Sequence, residues 1–364
     1  MSKPLLGLSM MPEADFVSAI LPLLQNNSVD VLEWSFDTFY DVNEPEWLSG
    51  LLDFYAANNR LLGHGVYYSL FDARWNERQE IWLKKLKKEC ANRKYNHITE
   101  HFGFMNTENF HQGVPLPVPM HPLTLHIGKD RLKRLQDAVE IPVGVENLAF
   151  SFSIDDVKEQ GVFLDQLVED IEGFLILDLH NIYCQSCNFG VSMQEIIKLY
   201  PLEKVKEIHL SGGSWQESAY AKKPVRRDTH DDRIPDEIVE MLPEVLSQCQ
   251  NLEYIVIERL GHTLCAESDK LFFFADFNRV KEIISKSEDR SEDKKVWNRR
   301  IGVDSKPVED MVLYDEQAKL TKMLFDESSV AKVKNEAFQY FKPENWDEEM
   351  IMTAQQIIKK WNPY

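Results

Sequence analysis

Short apolar runs alternate with amphipathic segments eight times along this chain, and this alternation restricts the possible folds more than any other feature. The runs are LLGLSM at 5–10, VDVLEWS at 29–35, LLGHGV at 61–66, HITEHF at 97–102, PVGVENL at 142–148, FLILDLHN at 174–181, VKEIHLS at 205–211 and YIVIERL at 254–260. Each has strand length and is rich in leucine or β-branched residues. Between them, ADFVSAILPLLQ, WNERQEIWLKKLKKECA, GKDRLKRLQDAV and PDEIVEMLPEVLSQC space apolar residues three and four apart, the period of one helical face. A helix between two strands makes the crossover that parallel pairing needs, so eight repeats predict an α/β fold, a (β/α)8 TIM barrel.

A chain of 364 residues, 43% of them hydrophobic, fills one barrel core and leaves a remainder. The predicted layout is a catalytic barrel over 1–285, a charged linker over 286–295 (KSEDRSEDKK) and a helical, aromatic-rich C-terminal extension over 296–364. Within the extension, 307–325, 328–341 and 345–361 are predicted helices. Their aromatics include Tyr314, Phe325, Phe338, Tyr340, Phe341, Trp346 and Trp361, which suit either packing on the barrel or docking of a partner.

Polar residues gather where each predicted strand ends, which is where a barrel of this type places its chemistry. His64 ends the third run, between two glycines, and His101 follows Glu100 in the fourth. Glu146 and Asn147 close the fifth, Asp178, His180 and Asn181 the sixth, His209 the seventh and Glu258 the eighth. Unpaired carboxylates buried there would each lose several kcal/mol of solvation, roughly, and a shared metal cluster removes that penalty. Imidazole and carboxylate donors suit Mn, Fe or Zn. Asn181 offers a weak neutral oxygen, and Asp228 and His230, two apart in extended backbone, point to one side. Asp228 and Asp231 can alternatively cap the loop or pair with Arg226, Arg227 and Arg233. His97, His111, His121, His126 and His262 are expected on the surface or in loops.

Two connections exceed simple turns. GFMNTENFHQGVPLPVPMHP carries prolines at 115, 117, 119 and 122, and GGSWQESAYAKKPVRRDTHDDRIP carries Lys222, Lys223, Arg226 and Arg227 ahead of its Asp-His-Asp cluster. Long loops at a barrel mouth bind or cover substrate. The formal charge of −19, from 41 basic and 60 acidic residues, argues against nucleic acid and for a basic partner or substrate segment. The N-terminal MSKPLLGLSMMPEADF lacks a signal-peptide core, and no run approaches the roughly 18 to 20 apolar residues of a membrane span, so a cytoplasmic protein with no membrane contact is expected. Five cysteines, an odd number, fit reduced thiols.

ITEHF, VENL, LDLHN with Tyr183 following, EIHLSG, DTHD and IER, in this order, resemble the multinuclear non-haem iron oxidases of ribosomal-peptide maturation. Members of that family form the oxazolone and thioamide of methanobactin or excise a β-methylene from a peptide cysteine. The resemblance covers about residues 5–285. It implies nine iron ligands, His64, His101, Glu146, Asp178, Asn181, His209, Asp228, His230 and Glu258, holding two to three ions of mixed Fe2+ and Fe3+ character. Of these, His64, His101, Glu146, Asp178, His209 and Glu258 would be catalytic. It further implies O2 as co-substrate, a cysteine-containing precursor peptide as substrate, and a small leader-binding partner protein forming a heterodimer. The chain departs from relatives at His180, where many have asparagine, at Cys184 and Cys187 in YCQSCN, and in its aromatic tail. The rival enzyme reading is a divalent-metal hydrolase or isomerase of the xylose-isomerase and endonuclease IV type. A metal-bearing scaffold without catalysis is the third.

Overall fold

The computed structural model describes residues 3–40, 42–105, 110, 113–217, 223–289, 295–298 and 302–361. His111, Lys222 and the linker stretch 290–294 lie outside them. Eight strands run in parallel: β1 (Leu5–Ser9), β2 (Val31–Trp34), β3 (Leu61–His64), β4 (Ile98–His101), β5 (Val143–Glu146), β6 (Phe174–Asp178), β7 (Val205–Leu210) and β8 (Tyr254–Ile257). They close into a barrel in which β1 pairs with both β2 and β8. The (β/α)8 architecture and the C-terminal helical extension are as the sequence predicts.

The helices are α1 (Ala14–Gln25), α2 (Glu46–Ala57), α3 (Glu77–Asn92), α4 (Pro122–Val139), α5 (Ile154–Glu169), α6 (Leu179–Phe189), α7 (Met193–Ile197), α8 (Asp236–Gln248), α9 (Glu267–Lys286), α10 (Met311–Phe325), α11 (Val330–Lys334) and α12 (Glu348–Trp361). Side chains alternate across each strand, so one set faces the helices and the other fills the barrel. The outer set builds one large hydrophobic cluster with the helices. The inner set gives two small apolar clusters, Val31, Leu62, Tyr254 and Val256 in one and Phe174, Ile176 and Trp297 in the other. Toward the C-terminal strand ends the inward positions become polar, which sets the site on an apolar floor.

The structure corrects three local expectations. The sixth run ends as a strand at Asp178, because the Asp178 carboxylate accepts from Asn181 N at 2.6 Å and caps α6. Asn181 therefore sits on a helical first turn rather than at a strand end. The expected helix over 328–341 shrinks to α11, since the buried Glu316 carboxylate accepts the amides of Gln339, Tyr340 and Phe341 and holds that backbone in a turn. His97 is not on the surface or in a loop but fully buried inside the barrel, 2.8 Å from Glu207.

The extension docks through backbone as well as side chains. Gln317 in α10 donates to Phe71 O at 2.7 Å and accepts from Ala73 N at 3.0 Å, clamping the segment after β3. Trp346 stacks on Phe152 with ring centroids 4.0 Å apart. Leu320, Leu324, Ile351 and Ile358 join the barrel's own hydrophobic cluster, so the tail packs on the barrel and is not a separate unit.

Candidate metal centre

Seven strands deliver donors to one region. Glu33 on β2, His64 on β3, His101 on β4, Glu146 on β5, Asp178 on β6 and His209 on β7 all face inward at the strand ends, with Glu258 directly after β8. Their donor atoms form three overlapping groups, each within 4.8 Å: His64 with His101 and Glu146; Glu146 with Asp178 and His209; and Glu33 with His209 and Glu258.

The hydrogen bonds behind the imidazoles fix their tautomers. Thr99 Oγ1 donates to Gly63 O at 3.2 Å, so it must accept from His64 Nδ1 at 2.8 Å. His101 Nδ1 lies 3.0 Å from Gly65 O, which can only accept. When neutral, both rings therefore aim the Nε2 lone pair into the site, where the two nitrogens sit 3.3 Å apart. Glu146 Oε2 lies 3.2 Å from His64 Nε2 and 3.4 Å from His101 Nε2. Two lone pairs and a carboxylate facing one another repel unless a cation or proton lies between them.

Electrostatics say the same. Burial and His101 oppose a charged His64, yet Glu33 and Glu146 outweigh them and its pKa rises. Against burial, Glu146 and Glu100 push His101 up to about 10. Glu33 and Glu258 likewise hold His209 well above the usual histidine range despite burial. Burial raises Asp178 far above a normal carboxyl, reinforced by Asp228, Glu146 and Glu258. Glu258 falls to about 2, its desolvation overcome by His209 and His230. The buried carboxylates thus set up a negative field at the imidazoles, and the same field favours a cation. Buried atoms without a hydrogen-bond partner include both oxygens of Glu33, Glu146 Oε2, Asp178 Oδ2, Asn181 Oδ1 and both ring nitrogens of His209. Orphaned donors of this type, converging from separate strands, fit metal ions.

Asp228 and His230 join from the loop after β7. His230 Nε2 is 3.0 Å from Asp228 Oδ1 and 3.6 Å from Glu258 Oε2. His180 does not reach the cluster directly; its Nδ1 lies 2.8 Å from Asp228 Oδ1. Close approach of this loop requires Gly213, because a Cβ there would stand 2.2 Å from Arg227 O and 2.7 Å from His180 Cε1. Asn181 Nδ2 donates to Glu146 Oε1 at 3.2 Å and to Asn147 O at 2.8 Å, leaving its carbonyl oxygen without a hydrogen-bond partner. Asn147 itself bonds both the N and O of Asp178, locking β5 to β6.

The structure thus brings together all nine residues singled out in the sequence. Sequence reasoning missed Glu33, although an acidic residue near the end of the otherwise apolar VLEW was the signal. It also missed Glu207, two residues before His209 on the same strand face. Cys184 is buried one helical turn after His180, with its sulfur 3.9 Å from His180 Nδ1, and burial pushes its thiol pKa well up.

A cavity of about 500 Å³ opens over the donors. His101, Glu146, Asp228, His230 and Glu258 lie on it, and Ile357 and Lys360 of α12 add a wall from the extension.

The fold is shared with a solved structure of low identity. A xylose isomerase domain protein from Planctomyces limnophilus aligns with a TM-score of 0.50 at 13% identity, covering 79% of this chain and 99% of that one. Endonuclease IV from Thermus thermophilus gives 0.47 at 13% identity, covering 77% and 100%. In sequence, a UPF0276 protein of Pseudomonas aeruginosa is 24% identical over 172 residues, 47% of this chain and 57% of the relative. A UPF0276 protein of Caulobacter vibrioides is 27% identical over 142 residues, 39% and 49%. The chain spans about half the length of the curated relatives it matches. Among the described residues no helix is long and apolar enough to cross a membrane. Residues 9–268, well over half of the 364, match the family described as RiPP precursor modification enzyme MbnB/TglH/ChrH, and the chain belongs to that family.

Proposed function

We propose that the protein is an O2-dependent, multinuclear non-haem iron enzyme that oxidatively modifies cysteine residues of a ribosomally synthesised precursor peptide. The observation that carries this reading is the set of orphaned, converging donors, in which two imidazole lone pairs and a carboxylate face each other at 3.2 to 3.4 Å. Family membership supports a peptide substrate. When bound, iron supplies a site for a substrate thiolate and electrons for O2, which redox-inert zinc does not.

The chain's own residues divide the work. His64, His101 and Glu146 would hold one ion, and Glu146, whose other oxygen faces the Asp178 and His209 side, would also serve an ion held there. Asp228, His230 and Glu258 would hold a further ion at the loop edge, with Asn181 as a neutral ligand. His180 holds Asp228 in orientation. The cavity admits the peptide segment and the apolar side chains around it, such as Leu148 and Phe150, limit water at the donors. A small leader-binding partner protein completes the proposed assembly, in the cytoplasm, and the −19 charge suits a basic leader.

Elemental analysis after aerobic and anaerobic purification, with O2 consumption followed in the presence of candidate peptides, tests the reading. Two to three irons per chain and peptide-dependent O2 uptake are expected. Stoichiometric zinc without iron-dependent activity would defeat it.

A further inference from the structure

Two arginines share the cavity with the metal donors, and among the described residues neither stands in an ion pair. Arg226 is 6% exposed. Its backbone is pinned on both sides by Asn188, which accepts from Arg226 N at 2.8 Å and donates to Arg226 O at 3.0 Å. Its guanidinium carbon lies 5.4 Å from the centre of the Tyr183 ring and 5.6 Å from that of Trp215. Both rings lie within cation–π distance of the guanidinium, whose N–H edge remains the part that hydrogen-bonds. On that edge Nη2 approaches His180 Nε2 at 3.4 Å, and Nε is buried without a partner. Arg227, half-buried, donates to the Gln216 side chain. Among the described residues no carboxylate lies within ion-pair distance of either arginine. Asp228, whose charge acts on Arg227, is engaged by His180 and His230.

Buried cations without counter-ions are costly, and in a chain of net charge −19 acids to pair with them are abundant. Among the described residues none pairs with these two arginines, which line the cavity, so an anion brought from outside would fill that role. We propose that Arg226 and Arg227 form a carboxylate-binding subsite that takes a carboxylate of the substrate peptide near the residue being modified. This rests on the peptide-modifying reading above. A planar guanidinium edge matches a carboxylate in two-point geometry, which a phosphate-free peptide offers either at its C-terminus or on an aspartate or glutamate side chain.

The test uses three small peptides bound to the full chain under anaerobic conditions, with and without chelator: N-acetyl-Cys-Ala amide, N-acetyl-Cys-Ala as the free acid, and N-acetyl-Cys-Asp amide. At least one acid is expected to bind about tenfold more tightly than the neutral amide. Which acid does so separates a C-terminal from a side-chain source. Arg226→Gln and Arg227→Gln should each reduce that preference while iron content stays unchanged. If Arg226→Gln fails to fold, Arg227→Gln and Arg226→Lys carry the test, the lysine variant keeping the charge but losing the two-point fit. Equal binding of all three peptides, or a preference unaltered in the arginine variants, overturns the subsite. A carboxylate preference that survives chelation, in a protein found to bind only zinc, would retain the subsite and remove the iron reading alone.

Discussion

His97 Nε2 lies 2.8 Å from Glu207 Oε2, with both side chains sealed inside the barrel. Glu207 Oε1 in turn lies 3.6 Å from His209 Nε2, and Glu33 Oε2 lies 3.2 Å from the same nitrogen. Glu207 thus stands behind His209, Glu33, itself one of the inward donors, faces the same nitrogen, and Nδ1 turns toward Glu146 and Glu258. Replacing Glu207 or Glu33 with glutamine should weaken metal binding roughly ten- to a hundredfold, Glu207 as a partner behind a ligating histidine and Glu33 as a donor in its own right. Metal content at equal total protein, measured across a chelator series, checks this. Unchanged affinity in both variants would remove the supporting role.

Glu146→Ala and His209→Ala should each abolish turnover and strip metal while the barrel stays folded. Glu146 is the only carboxylate shared by the first two donor groups, and His209 is shared by the last two. Circular dichroism and iron content read together decide the matter. Either variant with normal iron and full activity takes that residue out of the site.

Chelation should lower the unfolding temperature and Fe2+ should restore it. An ion bound at a hundred times its dissociation constant stabilises by about 2.7 kcal/mol, and here it also relieves the repulsion among facing donors. Calorimetry of stripped and reloaded protein is the measurement. Identical midpoints would mean that the donors do not bind metal in the folded chain.

Away from the site, burial pushes Asp72 up to about 7, against the pull of hydrogen bonds from Arg74 N and Asn76 and the charge of Arg131. Its pKa is higher in the folded than in the unfolded chain, so the folded state holds the extra proton. The contribution is therefore fully present below the ordinary carboxyl value of 3.8 and is lost as pH rises through about 7. Urea midpoints at about pH 5 and about pH 8 should differ more in the native chain than in Asp72→Asn. An equal pH response in both would show that Asp72 stays ionised when buried.

Cys184→Ser with Cys187→Ser should keep at least part of the activity. The Cys184 thiol is buried and held protonated, which suits a packing residue rather than a nucleophile. Replacing the substrate cysteine by serine should instead stop O2 consumption. Peptide mass after co-expression distinguishes these. Complete loss of modification in the double-serine enzyme, at normal iron content, would place the pair in the chemistry.

The barrel was legible because inward and outward residues of short parallel strands, and the helices between them, leave a strong periodic record. The donors at His64, His101, Glu146, Asp178, His209 and Glu258 were legible for a related reason, since polar residues interrupt apolar runs at equivalent ends. Glu33 and Glu207 went unread because a single acid inside a strand has the same sequence appearance whether it faces water or the barrel axis. His97 was misplaced because its partner, Glu207, lies 110 positions away and only barrel closure joins them. The α6 boundary was lost to one capping bond, which outweighs the apolar character of LDLHN. The turn around Gln339 depends on Glu316, a tertiary contact that local propensity does not contain.

The seven inward donors belong to seven different strand ends, from Glu33 on β2 to Glu258 beyond β8, and no two of them are closer than about thirty positions in sequence. An ion held by any of the three donor groups therefore ties distant stretches of chain into one ring, as a clasp closes a bracelet. No fragment of the chain carries a complete group unless it spans at least His64 to Glu146 or Glu146 to His209. Metal uptake is consequently a report on closure of the sheet: a truncated or circularly cut chain that leaves one strand unpaired should lose the ion before it loses its helices.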